Sequence, residues 1–165
     1  MTDTIPEFLI TRRFAAPIEQ VFDAWADPDK MVEWSGPTGS KAEIVEGRIA
    51  EGERSISRTT GEGYPEMYSL MVWREIRPPS RIAWEQSFCD PQGNKIGAPF
   101  FDHWPLTLLT TVDFVAQGDE TVVTLSWKPI EGTPEGFAEF ASQMASMTGG
   151  WSGSFDKLDA FLAGA

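Results

Sequence analysis

Two hydrophobic periods divide this chain, and the change from one to the other does most to limit its fold. Between residues 42 and 127, apolar residues recur in short β-type runs separated by turn residues. From residue 134 to 162 the spacing becomes helical. Phe137, Phe140, Ala141, Met144, Met147 and Thr148 are followed on the same stripe by Trp151, Phe155, Leu158 and Leu162. The stripe predicts one long helix of about eight turns at 3.6 residues each. Gly149-Gly150 lies inside it, and each glycine costs about 1 kcal/mol relative to alanine, so a kink or a close approach to a neighbour is expected there. One long helix and several antiparallel strands must bury their apolar faces on each other. The simplest solution is a curved sheet wrapped around the helix, with a cavity between them.

The remaining elements follow from local punctuation. Residues 7–14 are rich in β-formers and predict a first strand. Pro17 suits the first turn of a helix, and Ile18, Val21, Phe22 and Trp25 give that helix one apolar face. Asp27-Pro28 stops it, because the residue before proline avoids the α region. Residues 29–34 form a second short helix that ends at Gly36-Pro37. Strands are expected at 42–50, 53–60, 67–77, 81–89, 106–115 and 121–127. Their connections are Glu51-Gly52, a loop over 61–65, Pro78-Pro79, a Pro/Gly-rich loop over 90–102, and a turn at Gln117-Gly118-Asp119.

The 165 residues fit one domain, 1–165. The formal net charge of −12 repels phosphate backbones and anionic lipid surfaces, so nucleic acid and membrane are not expected partners. No apolar run is long enough to span a bilayer, and the first seven residues lack the basic and apolar regions of a secretory signal. The single cysteine, Cys89, excludes an internal disulfide. Together these features predict a cytoplasmic location.

Catalytic and metal motifs are scarce. One His and one Cys cannot build the common zinc sites, and Asp102-His103 lacks a third ligand, so no metal or other cofactor is expected. Cys89 and His103 flank the 90–102 loop, but no nucleophile-elbow pattern accompanies them. Glu75, Glu85 and Asp113 lie within strands, where carboxylates ordinarily face solvent; Arg74 faces either a ligand carboxylate or solvent. The candidate cavity wall is aromatic and apolar. On the long helix it comprises Met144, Thr148, Trp151 and Phe155. On strand faces it comprises Trp84, Phe88, Val123, Leu125 and Trp127, with Trp34 and Trp104 near the ends. Plain core packing is the competing reading for each.

Several segments resemble a known family. Ile10-Thr11-Arg12-Arg13-Phe14, Ala16-Pro17, Val21-Phe22-Asp23-Ala24-Trp25, Asp27-Pro28 and Trp34 with Gly36-Pro37 stand in the order seen at the start of proteins like activator of Hsp90 ATPase homologue 1 (AHSA1-like), a branch of the START-like superfamily. The run Glu75-Ile76-Arg77-Pro78-Pro79-Ser80-Arg81-Ile82 resembles that family's mid-chain turn. Gly150-Trp151, Phe155, Lys157-Leu158 and Phe161-Leu162 resemble its last helix. Where the family often has Gly-Gly at the third strand, this chain has Glu51-Gly52-Glu53; Glu53 either alters the cavity mouth or, the favoured reading, faces solvent. The resemblance implies an α+β helix-grip (START-like, Bet v 1-like) fold: a curved antiparallel sheet around a long C-terminal helix, with two short helices after the first strand. It implies a cavity that takes a small apolar or aromatic ligand. The alternatives are a chaperone-linked interaction module and a cyclase- or dehydratase-type enzyme using a cavity carboxylate. A homodimer is also open.

Overall fold

Alternating side chains give each strand one face for the core and one for solvent, and this chain joins seven such strands into one sheet. A computed structural model describes residues 5–35, 39–98 and 101–164. The elements run β1 (Phe8–Phe14), α1 (Ile18–Ala26), α2 (Pro28–Trp34), β2 (Ser40–Gly47), β3 (Arg54–Gly61), β4 (Tyr64–Arg77), β5 (Arg81–Cys89), β6 (Thr107–Gln117), β7 (Glu120–Glu131), α3 (Pro134–Ser142) and α4 (Met144–Ala163). The sheet order is β1-β7-β6-β5-β4-β3-β2, and every neighbouring pair is antiparallel. The curved sheet, two short helices after β1 and a C-terminal helix make the expected helix-grip fold. The Gly36-Pro37 break lies outside the described residues, as does Pro99 of the 90–102 loop.

The two short helices are held by specific contacts. Asp27 caps α2 by accepting a hydrogen bond from the Asp29 amide at 3.0 Å. The Trp34 indole donates to the Ala24 carbonyl oxygen at 2.8 Å, which pins α2 back onto α1. Gly47 has φ +79°, and a Cβ there would lie 2.1 Å from the Arg54 carbonyl oxygen, so the β2 end of the β2–β3 connection admits only glycine.

The core sits between the sheet and the helices, and tryptophan fills much of it. Trp25 of α1 contacts Trp34 of α2 (ring centroids 4.6 Å apart), Trp84 of β5 (6.3 Å), Phe114 of β6 (6.1 Å), and both Trp151 (6.1 Å) and Phe155 (6.3 Å) of α4. Trp84 reaches on to Trp73, and Trp151 to Trp127. Six of the seven tryptophans thus form one connected set of rings. A smaller cluster of Ile56, Leu70 and Cys89 is separate from this core, and Gly93 of the loop after β5 comes against Ile56 and Arg54.

The C-terminal segment departs from its sequence pattern. It is two helices rather than one, and the break is at Gln143 (φ −106°, ψ 15°), not at Gly149-Gly150. The reason lies in what each piece must reach. Phe140 of α3 joins the main core with Met147, Phe155, Leu158 and Leu162 of α4, but α3 is also held at its own site, Gly136 against the His103 carbonyl and Phe140 against Trp104. Gly149 and Gly150 lie within α4, exposed, and a Cβ on either would meet nothing within 4 Å, so the close-approach reading fails.

These surroundings give glycine substitutions opposite signs. A Cβ at position 136 would lie 2.2 Å from the His103 carbonyl oxygen, so Gly136→Ala is expected to lower stability by about 1–3 kcal/mol. Gly150→Ala is expected to raise it by up to about 1 kcal/mol. Urea midpoints of the two variants check this, and shifts in the same direction would contradict the packing described.

Candidate functional site

Strand pairing brings one set of side chains to the concave face near the α3 end. Phe88 pairs with Ser69, Gln86 with Leu108, and Trp127 with Thr110. The loop preceding β6 lies against them, with Phe101 stacked on Trp104 (4.8 Å) and Trp104 resting on Phe140 of α3 (5.5 Å). Between these elements is a cleft of about 110 Å3, partly open to solvent, lined by Ser69, Gln86, Ser87, Phe88, Phe101, Trp104, Pro105, Leu108 and Trp127.

The polar edge of the cleft is ordered. Gln86 accepts from the Trp84 indole at 3.2 Å, and Thr110 accepts from the Trp127 indole at 2.8 Å. Ser87 and Thr107 share a hydroxyl–hydroxyl hydrogen bond of 3.0 Å. Thr107 also donates to Glu131 at 2.6 Å and accepts from Lys95, whose ammonium pairs with Glu131 at 2.8 Å. Hydrogen bonds from Lys95 and then Thr107 hold the Glu131 carboxyl below the ordinary range. This network ties the loop after β5 to β6 and β7 behind the cleft.

Among the described residues the wall carries no titratable side chain. It offers aromatic faces, hydroxyls and one amide, a set suited to holding an apolar molecule and orienting it, not to moving protons. The strand carboxylates are occupied elsewhere: Glu85 pairs with Arg74, Glu75 with Arg77 and Arg81, and Asp113 with Arg81. Glu53 is exposed and pairs with Arg48. Cys89 packs with Ile56 and Leu70, and burial pushes its thiol up, away from the nucleophilic thiolate. His103 is exposed. Among the described residues no group of His, Cys, Asp or Glu is arranged to hold a metal ion.

The family model described as activator of Hsp90 ATPase homolog 1-like protein matches residues 15–163. The chain belongs to that family. Its fold recurs in a protein from Arthrobacter aurescens (TM-score 0.80, 20% identity, covering 96% of this chain and 87% of that one). It recurs in a Mycobacterium smegmatis protein (TM-score 0.76, 20% identity, 94% and 90% covered) and in the AHSA1 protein from Silicibacter pomeroyi (TM-score 0.72, 18% identity, 96% and 98% covered). Among curated proteins none matches it in sequence. Among the described residues no helix is long and apolar enough to cross a membrane.

Within this AHSA1-like fold, the candidate wall residues separate into groups. Phe88, Trp104 and Trp127 line the cleft. Trp34, Trp84, Val123, Leu125 and Phe155 are buried in the main core, and Met144 and Trp151 are partly buried against it. Thr148 faces solvent, its hydroxyl donating to the Met144 carbonyl at 3.1 Å, because it sits one residue off the face that buries Met147. Rings therefore fill much of the interior beside the cleft, and a separate space of about 370 Å3 lies between α2 and the β2 edge, lined by Pro28, Val32, Ile44 and Arg48 among others. Ser69, Gln86, Ser87, Phe101, Pro105 and Leu108 were not expected in the wall. The alternation that marks Trp84 and Phe88 as one face also includes Gln86, which was the available signal.

The Lys95–Glu131 pair makes Glu131 one of the carboxylates that contribute to stability in acid. A folded-state value below the unfolded one contributes stability above the unfolded pKa of about 4.3, lost as pH falls through the folded value. Wild type is expected to lose more stability than Glu131→Gln between about pH 6 and pH 3. Urea midpoints across that range measure it, and parallel curves would remove Glu131 from this role.

Proposed function

We propose that this chain binds a small apolar or aromatic molecule, with the cleft at the α3 end of the grip as its entrance and first contact. The observation that carries this reading is the wall itself: Phe88, Phe101, Trp104, Leu108 and Trp127 face a common space with a few hydroxyl and amide groups and no charge. The space, about 110 Å3, is of single-ring size: an apolar cavity of about 150 Å3 is known to hold benzene. Larger ligands require the loop before β6, or α3, to move aside.

A non-catalytic role fits the absence of acid and base groups from the wall. The family description refers to an Hsp90 activator homologue. An interaction module would call for a contiguous apolar patch. Among the described residues the exposed large apolar side chains are Ile5, Leu9, Val45, Ile96, Val115 and Ile130, distributed over β1, β2, β6, β7, the stretch before β1 and the loop after β5, whereas the cleft gathers five apolar side chains on one space, which favours the cleft. A cytoplasmic setting accords with the unpaired thiol of Cys89.

Native mass spectrometry of freshly purified protein, followed by titration with small aromatic probes, tests the reading. Trp127→Ala and Trp104→Ala are expected to weaken probe binding at least tenfold. Thermal unfolding is followed in parallel, since losing a buried Trp costs about 3–5 kcal/mol. A stably folded variant with undiminished affinity would move the site elsewhere.

A further inference from the structure

The indole N–H groups of Trp34, Trp73, Trp84 and Trp127 all donate to oxygen atoms of the chain. Those of Trp25 and Trp151 are buried and find no acceptor among the described residues. A buried indole N–H ordinarily has a partner, and leaving one unmade carries a substantial penalty. Both exceptions belong to the same pair: the rings of Trp25 and Trp151 stack with centroids 6.1 Å apart and planes 20° apart. Trp25 is only 3% exposed, so its N–H has no access to bulk solvent.

This pair lies one ring behind the cleft. Trp127 is in the cleft wall and meets Trp151 edge-on at 5.4 Å, and Trp151 in turn covers Trp25. Trp151 directly follows Gly149-Gly150, whose missing side chains are not demanded by packing. Neither Trp25 nor Trp151 lines the cleft itself, so a ligand oxygen reaches their N–H groups only when the Trp127 or Trp151 ring turns aside.

We propose that Trp25 and Trp151 form an acceptor-recognition site, so that the ligand is an uncharged apolar molecule carrying a carbonyl or similar oxygen, not a plain hydrocarbon or a carboxylate. This rests on the cleft-binding reading and adds the ligand's polar group to it. A carboxylate would need a cation. Arg12, whose guanidinium lies 5.9 Å from the Phe155 ring centre, is already paired with Asp156 at 2.8 Å and Asp159 at 3.4 Å. A neutral oxygen needs only the N–H donors.

The test uses three single-ring probes of similar shape: acetophenone, α-methylstyrene (a CH2 group in place of the ketone oxygen) and benzoate. Each is titrated into 15N-labelled protein, reading the indole N–H resonances, with Trp25→Phe and Trp151→Phe assigning the two signals. Acetophenone is expected to move both signals downfield and to bind about fivefold more tightly than α-methylstyrene, the value of one net hydrogen bond. The double variant, which keeps two aromatic rings but no N–H, is expected to bind the two probes equally. Equal binding to wild type, as when water already satisfies both donors, would overturn the proposal, as would a ketone preference that survives in the double variant. Benzoate binding more tightly than acetophenone would overturn the neutral-ligand class. In these three cases cleft binding itself stands. Failure of every probe to bind would remove both readings. The wild-type resonance shifts need no variant beyond assignment, so poor folding of the double variant leaves the proposal decidable.

Discussion

Trp25 is the side chain through which the helices and the sheet share one interior. It projects from α1 and touches rings on α2, β5, β6 and α4, so the register of each of these elements is set partly against one indole. Aromatic pairs contribute about 0.5–1.5 kcal/mol beyond their buried area, and a ring with five such neighbours concentrates that contribution at one position. The hydrogen bond from Trp34 to Ala24 then keeps α1 and α2 seated over the same cluster.

Charge plays a different part. The exposed pairs Arg13–Glu120, Arg54–Glu46 and Arg58–Glu43 connect neighbouring strands at the surface, where each contributes little on its own. Their effect is selective: strand carboxylates that find an arginine outside are not available inside. The interior is left to rings, aliphatic groups and hydroxyls, and in the proposed binding role it would recognise a guest by shape and by single hydrogen bonds.

Most of the fold was legible in the sequence because alternation and turn residues act locally. The β6–β7 hairpin turns at Gly118, which takes φ +62°, and Pro78-Pro79 falls between β4 and β5 as its composition requires. β7 runs beyond its expected end, to Glu131, because Lys128, Pro129 and, past the register shift at Ile130, Glu131 continue the pairing with β6. The division of the C-terminal segment was hidden, since apolar spacing continues across Gln143 and only the long-range contacts of Gly136 with His103 and of Phe140 with Trp104 require the bend. The site was less legible for a similar reason. Sequence shows that Trp84 or Phe155 turns inward, but not whether it meets another ring or open space. Polar Ser69 and Gln86 carry no mark that distinguishes a cleft wall from a solvent face.

The ring network also constrains how such a sequence can change over time. Substitutions in contact do not add independently, and coupling of about 0.5–3 kcal/mol is usual between touching residues. With Trp25 joined to five rings, the acceptability of a residue at any one of these positions depends on what occupies the others. Proteins at 20% identity still adopt this architecture. Divergence within the cluster is therefore expected to proceed in correlated groups, with a lost indole matched by a bulkier neighbour, while surface pairs drift singly.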